Sequence, residues 1–305
     1  MVKQQRNNVG EMVFTTLVFG SAASVILLMG LIIVVLLVHA LPAILRFGLA
    51  VLWTNQWLPI DQVFGMWPFI VGTVISSGIG VLFAAVVGTA TAIVIVRIRL
   101  KWLRQLSAAL VQWLSLIPSV VFGLWGIKFV APILLQMLRS APISAVSGSA
   151  EADGILLAGL TLAAMLLPTI VTVTRETLIS VPPSIVDGAL ALGATLNEAT
   201  LSIVIPYARR GIFSAILLAL GRALGETIAV VMVIGSQPQL AYTLFTKTDT
   251  LTSVIATQWN HTQSVYGQSV LFEAGLLLFV LTFAFYTIAR MYVPRSVAAA
   301  RLQLW

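Results

Sequence analysis

The chain contains no cysteine. That absence excludes disulfides, thiolate metal centres and a cysteine nucleophile, while saying little about the compartment. Histidine is nearly as scarce: His39 and His261 are the two present, and they lie far apart in the sequence. Charge is scarce too. Charged residues make up 9% of 305 positions against 59% hydrophobic ones, and the mean hydropathy of +1.04 excludes a soluble globular protein. No Gly-x-x-x-x-Gly-Lys-Ser/Thr occurs, so any ATP chemistry belongs to another chain. No Gly-x-Ser-x-Gly occurs either, which leaves an intramembrane enzyme without a nucleophile or a metal set. The net charge of +7 does not signal nucleic acid, because the basic residues gather at the ends of apolar runs rather than along one stripe.

What the chain has in abundance is long apolar runs. They predict six spans, at about 12–40, 68–96, 106–137, 154–174, 207–235 and 270–292. The first follows Lys3 and Arg6, ends at His39 and Pro42, and is too long for a cleaved signal core. Pro68 suits the first turn of the second span. Pro118, Gly123, Gly126 and Pro132 predict a kink or break in the third, and Pro168 lies inside the fourth. Six spans place both termini on one side. That side receives 12 of the 17 basic residues, including Arg97, Arg99, Lys101 and Arg104, against Arg46, Arg139 and Lys247 opposite. The positive-inside rule makes it the cytoplasmic side, and the basic run at 97–104 reads as a topology anchor. The outer loops fall at about 43–66, 139–153 and 236–269.

The fifth run carries the exception to its own composition. In Leu220-Gly-Arg-Ala-Leu-Gly-Glu-Thr-Ile, Arg222 and Glu226 stand one helical turn apart within an apolar stretch from Ile212 to Gly235. As one helix that stretch is about 36 Å long, with Arg222 near mid-depth. A charge there costs at least about 2.5–3.5 kcal/mol unless it meets a partner or water, which makes it a candidate functional site. The plainer reading is a self-neutralising i, i+4 pair on one helix face. Gly221 and Gly225 give a Gly-x-x-x-Gly spacing for close approach of another helix. Thr227 and Ser119 are candidates to line the path, with packing the favoured reading of each.

Residues 180–206, between spans four and five, are not ordinary loop sequence. Ser184 is placed to cap a short helix, Asp187 to favour its first turn, and Gly193 to end it. Thr195 and Glu198 form a capping box for a second helix over 196–205, ahead of Pro206. The expected result is two short helices meeting at an angle, with Ile185, Ala189 and Leu192 offered to a partner. A helix lying in the lipid interface is the alternative.

At this point the residues resemble a known family. The intervals Asp187-Gly188-Ala189, Gly193, Ile203 and Pro206 are similar to the Glu-Ala-Ala loop of permease subunits in binding-protein-dependent ABC importers. Asp replaces Glu, Gly replaces the first Ala, and Asn197-Glu198 stands where the family usually has Trp-Glu. The Gly-Arg-Ala-Leu-Gly-Glu-Thr stretch narrows the resemblance to the PstC-type permease of phosphate importers. Phe47-Gly-Leu-Ala-Val-Leu-Trp-Thr, Ile117-Pro-Ser-Val-Val-Phe-Gly-Leu-Trp-Gly and Val233-Ile-Gly support it.

The resemblance implies an all-α integral membrane protein of the type I ABC importer (MetI-like) fold: an N-terminal segment with the first span (1–67), a transporter domain (68–293) and a cytoplasmic tail (294–305). It implies a coupling helix at about 184–193, with Ser184, Asp187, Gly188, Ala189, Gly193, Glu198 and Pro206 serving a separate ATPase. The expected partners are a homologous second permease (PstA-type), two copies of an ATPase (PstB-type) and a periplasmic phosphate-binding protein (PstS-type), in a bacterial inner membrane. ATP and Mg would be used by the ATPase, with no cofactor in this chain. Arg222 and Glu226 match the family's intramembrane charged positions. Apart from the resemblance, a carboxylate on the same face is expected to hold the arginine when the site is empty. Transport of another oxyanion such as molybdate or a phosphonate is the alternative; a passive anion channel or an enzyme is more remote.

Overall fold

The computed structural model describes residues 8–140, 153–262 and 264–291. The predicted loop at 139–153 and the tail at 294–305 lie largely or wholly outside them. Within the described residues the chain is helical, with six helices long and apolar enough to cross a membrane.

The first, α1 (Asn8–Phe47), runs on past the predicted end at 40 and carries Pro42 inside it. It packs antiparallel to α12 (Val265–Met291): Leu36 meets Gly275, and the His39 ring lies 4.7 Å from that of Phe272. The connection after α1 is a folded cap. Trp57, Phe64, Met66 and Phe69 are buried there with Val270 and Leu271 of α12, and Arg46 stacks on Tyr266 at 4.1 Å. Residues 43–69 therefore share a core with the last span.

The centre is a pair of parallel helices, α2 (Trp67–Arg97) and α6 (Ile155–Ile179). Gly80 lies against Gly159 and Leu162, and Gly88 against Leu167 and Ile170, so the two helices rise together. Small residues permit this approach where hydrocarbon offers no competing hydrophobic drive. Parallel neighbours need a return crossing, and the third span supplies it in pieces. Lys101–Leu114 forms α3, an amphipathic helix with no buried residue. The chain breaks at Pro118, which lacks an N–H, and re-enters as α4 (Ser119–Trp125), a π-helical turn (Gly126–Val130) and α5 (Ala131–Ser140). The predicted break is present. The predicted extent of 106–137 is not, because the crossing stretch is Ser119–Met137 and α3 lies outside it.

The loop after α6 folds as α7 (Pro183–Ala191) and a capped turn, α8 (Leu196–Ala199). Ser184 does not cap α7. Pro182 holds the N-cap position, and Pro183 starts the helix at a place where no N–H is needed. Gly193 ends α7 as expected, at φ +91°, a conformation open to glycine. The Thr195–Glu198 capping box forms: the Thr195 N–H donates to the Glu198 carboxylate at 2.8 Å, and the Glu198 N–H to Thr195 Oγ1 at 3.3 Å. It does not open a separate second helix. A π-helical turn (Thr200–Val204) joins α8 to α9 (Ile205–Gly225), so helix runs from Leu196 to Gly225 through Pro206. The wider turn absorbs the hydrogen bond that proline cannot donate.

The predicted fifth span of 207–235 is divided. α9 ends at Gly225, and a six-residue α10 (Ile228–Val233) follows two non-helical residues. The stretch 236–269, expected as a polar outer loop, contains α11 (Leu251–Gln258), whose first four residues are buried.

Candidate functional site

Arg222 occupies the last turn of α9. α9 runs antiparallel to α6, with Gly211 against Thr177 and the Arg222 guanidinium donating to Thr169 Oγ1 at 3.3 Å. Thr169 lies ten residues short of the end of α6, about 15 Å along the axis. Arg222 is therefore near mid-depth, as its place in the sequence suggested. Its side chain is exposed, in line with Ser214, Leu218, Gly221 and Gly225 on one open face of α9. A Cβ built on Gly221 or Gly225 meets nothing within 4 Å. The only hydrogen bond Arg222 makes among the described residues is to a neutral hydroxyl, and no carboxylate compensates its charge.

Glu226 is not Arg222's partner. Four residues of continuous helix would put the two side chains on one face, but Glu226 is extended (φ −71°, ψ 126°) and the helix stops before it. Its Oε1 accepts the Ala229 N–H at 3.2 Å, at the start of α10, and its backbone carbonyl accepts the Thr252 hydroxyl at 2.8 Å. The carboxylate thus satisfies backbone that the break sets free, a need that is acute where no water is at hand. Thr227 turns its hydroxyl back to the Gly225 carbonyl at 3.4 Å and hydrogen-bonds no side chain among the described residues. Ser119 begins α4, which packs on the far side of the break, with Gly123 against Ala229 and Met232. The structure gathers Arg222, Gly221 and Gly225 on one surface. Glu226, Thr227 and Ser119 belong to the broken-helix side.

Sequence reasoning missed the support beneath the break. Residues Thr248–Ser253 are buried against α2, and Gly72 admits their backbone: a Cβ there would overlap the Asp249 carbonyl oxygen. The Leu251 N–H donates to Thr73 Oγ1 at 2.9 Å, and the Ser253 hydroxyl to Asp249 Oδ1 at 2.7 Å. Asp249 is 1% exposed, and its Oδ2 has no hydrogen-bond partner among the described residues. Burial pushes its carboxyl up from 3.8 to about 6, against the lowering effect of the Ser253 hydroxyl. Thr250-Leu-Thr-Ser253, a capping box with serine in the acid's place, was the available signal.

At the basic end, α7 exposes Ser184, Asp187 and Gly188, and Leu192 just beyond it is 91% exposed. Ala189 is buried and Ile185 half-buried, so that edge faces this chain instead of a partner. Of the expected docking face, Ala189 is therefore turned inward, while Leu192 remains outward.

Residues 80–297 match the family described as binding-protein-dependent transport system inner membrane component. The chain is 33% identical to the phosphate transport system permease protein PstC of Haemophilus influenzae, over 92% of this chain and 91% of that one. The chain belongs to this family, on its PstC branch. A probable PstC of Methanocaldococcus jannaschii is also 33% identical, over 84% of this chain and 85% of its own length. Among solved structures, a chain of a bacterial alginate ABC transporter matches with a TM-score of 0.59 at 14% identity, over 93% of this chain and 96% of that one. A chain of the inward-facing MetNI methionine ABC transporter matches with a TM-score of 0.54 at 18% identity, over 76% and 95%. At such identities these two establish the fold, the type I ABC importer permease fold, and nothing about substrate. As a member of the family the chain is a multi-pass inner-membrane component, and the broken fifth span carrying Arg222 lies within the matched region.

Proposed function

We propose that this chain is the permease subunit of an ATP-driven importer that moves inorganic phosphate across the inner membrane. The observation that carries the reading is Arg222, a guanidinium at mid-depth on an open helix face, bound to one neutral hydroxyl and to no carboxylate. Such a charge is stable in a membrane where it meets an aqueous path or an anion. A planar guanidinium fork that never loses its proton suits two oxygens of a phosphate. The naming of the relatives as phosphate transport permeases supports the same substrate.

The remaining assignments follow from the surfaces. The stripe Ser214, Leu218, Gly221, Arg222 and Gly225 seats a homologous second permease, so that the path runs between two chains. The exposed edge of α7 at Ser184, Asp187, Gly188 and Leu192 couples to a separate ATPase, two copies of which use ATP and Mg. A periplasmic phosphate-binding protein delivers substrate at the opposite end. The excess of basic residues sets the basic end and both termini in the cytoplasm. Glu226, Thr227 and Ser119 shape the broken helix beside the path.

The test is labelled-phosphate uptake into vesicles carrying the assembled transporter, with wild type and Arg222→Gln, with and without ATP. Molybdate, sulfate and a phosphonate serve as competitors. The expected result is ATP-dependent phosphate uptake that resists the competitors and is lost in the variant. Uptake surviving Arg222→Gln makes the arginine structural; competition by another oxyanion changes the substrate and leaves the fold.

A further inference from the structure

The basic run at 97–104 is more than a topology anchor. Arg97 ends α2, Arg99 lies in the link, and Arg104 sits in the first turn of α3. All three line one cavity of about 400 Å³ at the basic end. Its remaining walls are apolar apart from Thr200, and include Ile93 and Val96 of α2, Leu178 of α6, Val181 just beyond it, and Val186 of α7. Among the described residues no ion pair neutralises any of the three guanidiniums. Three arginines lining a mostly apolar cavity suit an anionic amphiphile.

The helix beside the cavity identifies the amphiphile. Ala108 and Val111 of α3 pack on the cluster containing Leu178, which fixes the helix to the end of α6. Its opposite face leaves Trp102, Leu106, Leu110 and Trp113 exposed, at i, i+4, i+8 and i+11. An amphipathic helix with an aromatic residue near each end and basic residues at its start is built to lie at the lipid–water boundary. A free anion needs no such surface; acyl chains do.

We propose that this cavity binds the phosphate-bearing headgroup of an anionic phospholipid drawn from the leaflet in which the Trp102–Trp113 face of α3 rests. The headgroup then bridges α3 and the α7 wall. Inorganic phosphate shares the same oxyanion chemistry, and the experiment separates the two.

The full chain is released from vesicles of equal phosphatidylcholine and phosphatidylglycerol, and the retained lipid is counted by native mass spectrometry. Wild type retains phosphatidylglycerol selectively. The Arg97→Gln/Arg99→Gln/Arg104→Gln variant loses that selectivity on the order of 100-fold, since each arginine beside anionic lipid contributes about fivefold. The corresponding triple lysine variant keeps most of it. Val186→Trp, which fills the cavity and leaves the charges in place, also loses it. An equal loss in Arg209→Gln/Arg210→Gln would reduce the effect to the general field of the basic end and overturn the site. Displacement of the lipid by millimolar inorganic phosphate would overturn it in favour of a free-anion site, as would unchanged retention in the glutamine variant.

Discussion

Replacing Asp249 by asparagine tests the buried support beneath the broken span through a quantity that packing cannot imitate. The wild-type carboxyl moves from 3.8 to about 6 because the fold removes it from water and supplies one hydroxyl in return. Between those values the folded chain holds its proton more tightly than the unfolded chain does. Stability therefore falls as pH rises through this window and levels off above it. A displacement of about 2 pH units corresponds to about 3 kcal/mol. Asparagine keeps the carbonyl that accepts the Ser253 hydroxyl and does not titrate. Unfolding free energies of wild type and Asp249→Asn are measured by denaturant titration in detergent micelles from about pH 4.5 to 7.5. The wild type is expected to lose about 2 kcal/mol relative to the variant over that range, the rest of the effect lying below about pH 4.5. Any constant offset between the proteins reports packing and is set aside. A difference that does not change with pH, or one that grows in the wild type's favour, would refute the assignment of a desolvated carboxylate at this position.

Three further outcomes are expected. Gly72→Ala destabilises by about 1–3 kcal/mol or more, because the new methyl meets backbone of residue 249 rather than a side chain that can turn away; an unchanged melting temperature would contradict the close approach. Gly188→Ala has open space and a helical backbone, so α7 gains up to about 1 kcal/mol, read as slower hydrogen exchange over 184–191. Thr195→Ala removes the capping box and costs about 1 kcal/mol, expected as faster exchange over 196–199 with the exchange of α6 unchanged.

The sequence was legible where one local rule decided the outcome. Apolar runs of sufficient length became the spans, Pro118 broke the third, Gly193 stopped α7, and Thr195 with Glu198 closed a capping box. It was illegible where two rules competed. The stretch from Ile212 to Gly235 is long enough for one helix, yet the backbone leaves the helix at Glu226, because its own carboxylate and the Thr252 hydroxyl, 26 residues away, satisfy the freed groups. Pro206 argued for a boundary that the π-helical turn at Thr200–Val204 bridges. The buried stretch Thr248–Ser253 is polar, and its burial depends on the absence of a Cβ at Gly72 in another helix. Composition at 248–253 carries no trace of that partner. Of the candidate site, the position of Arg222 was readable, while its separation from Glu226 required the backbone.

The unbroken helix from Leu196 to Gly225 has a mechanical meaning. Arg222 and the capped turn at Thr195 are two ends of one rod, about 40 Å long at 1.5 Å per residue. A rod of that length is a lever. A tilt of about 5° at the Thr195 end sweeps the arginine through roughly 3.5 Å, as far as the distance that now separates it from Thr169. A small angular push at the basic end is thus sufficient to undo the one hydrogen bond that holds the charge at mid-depth.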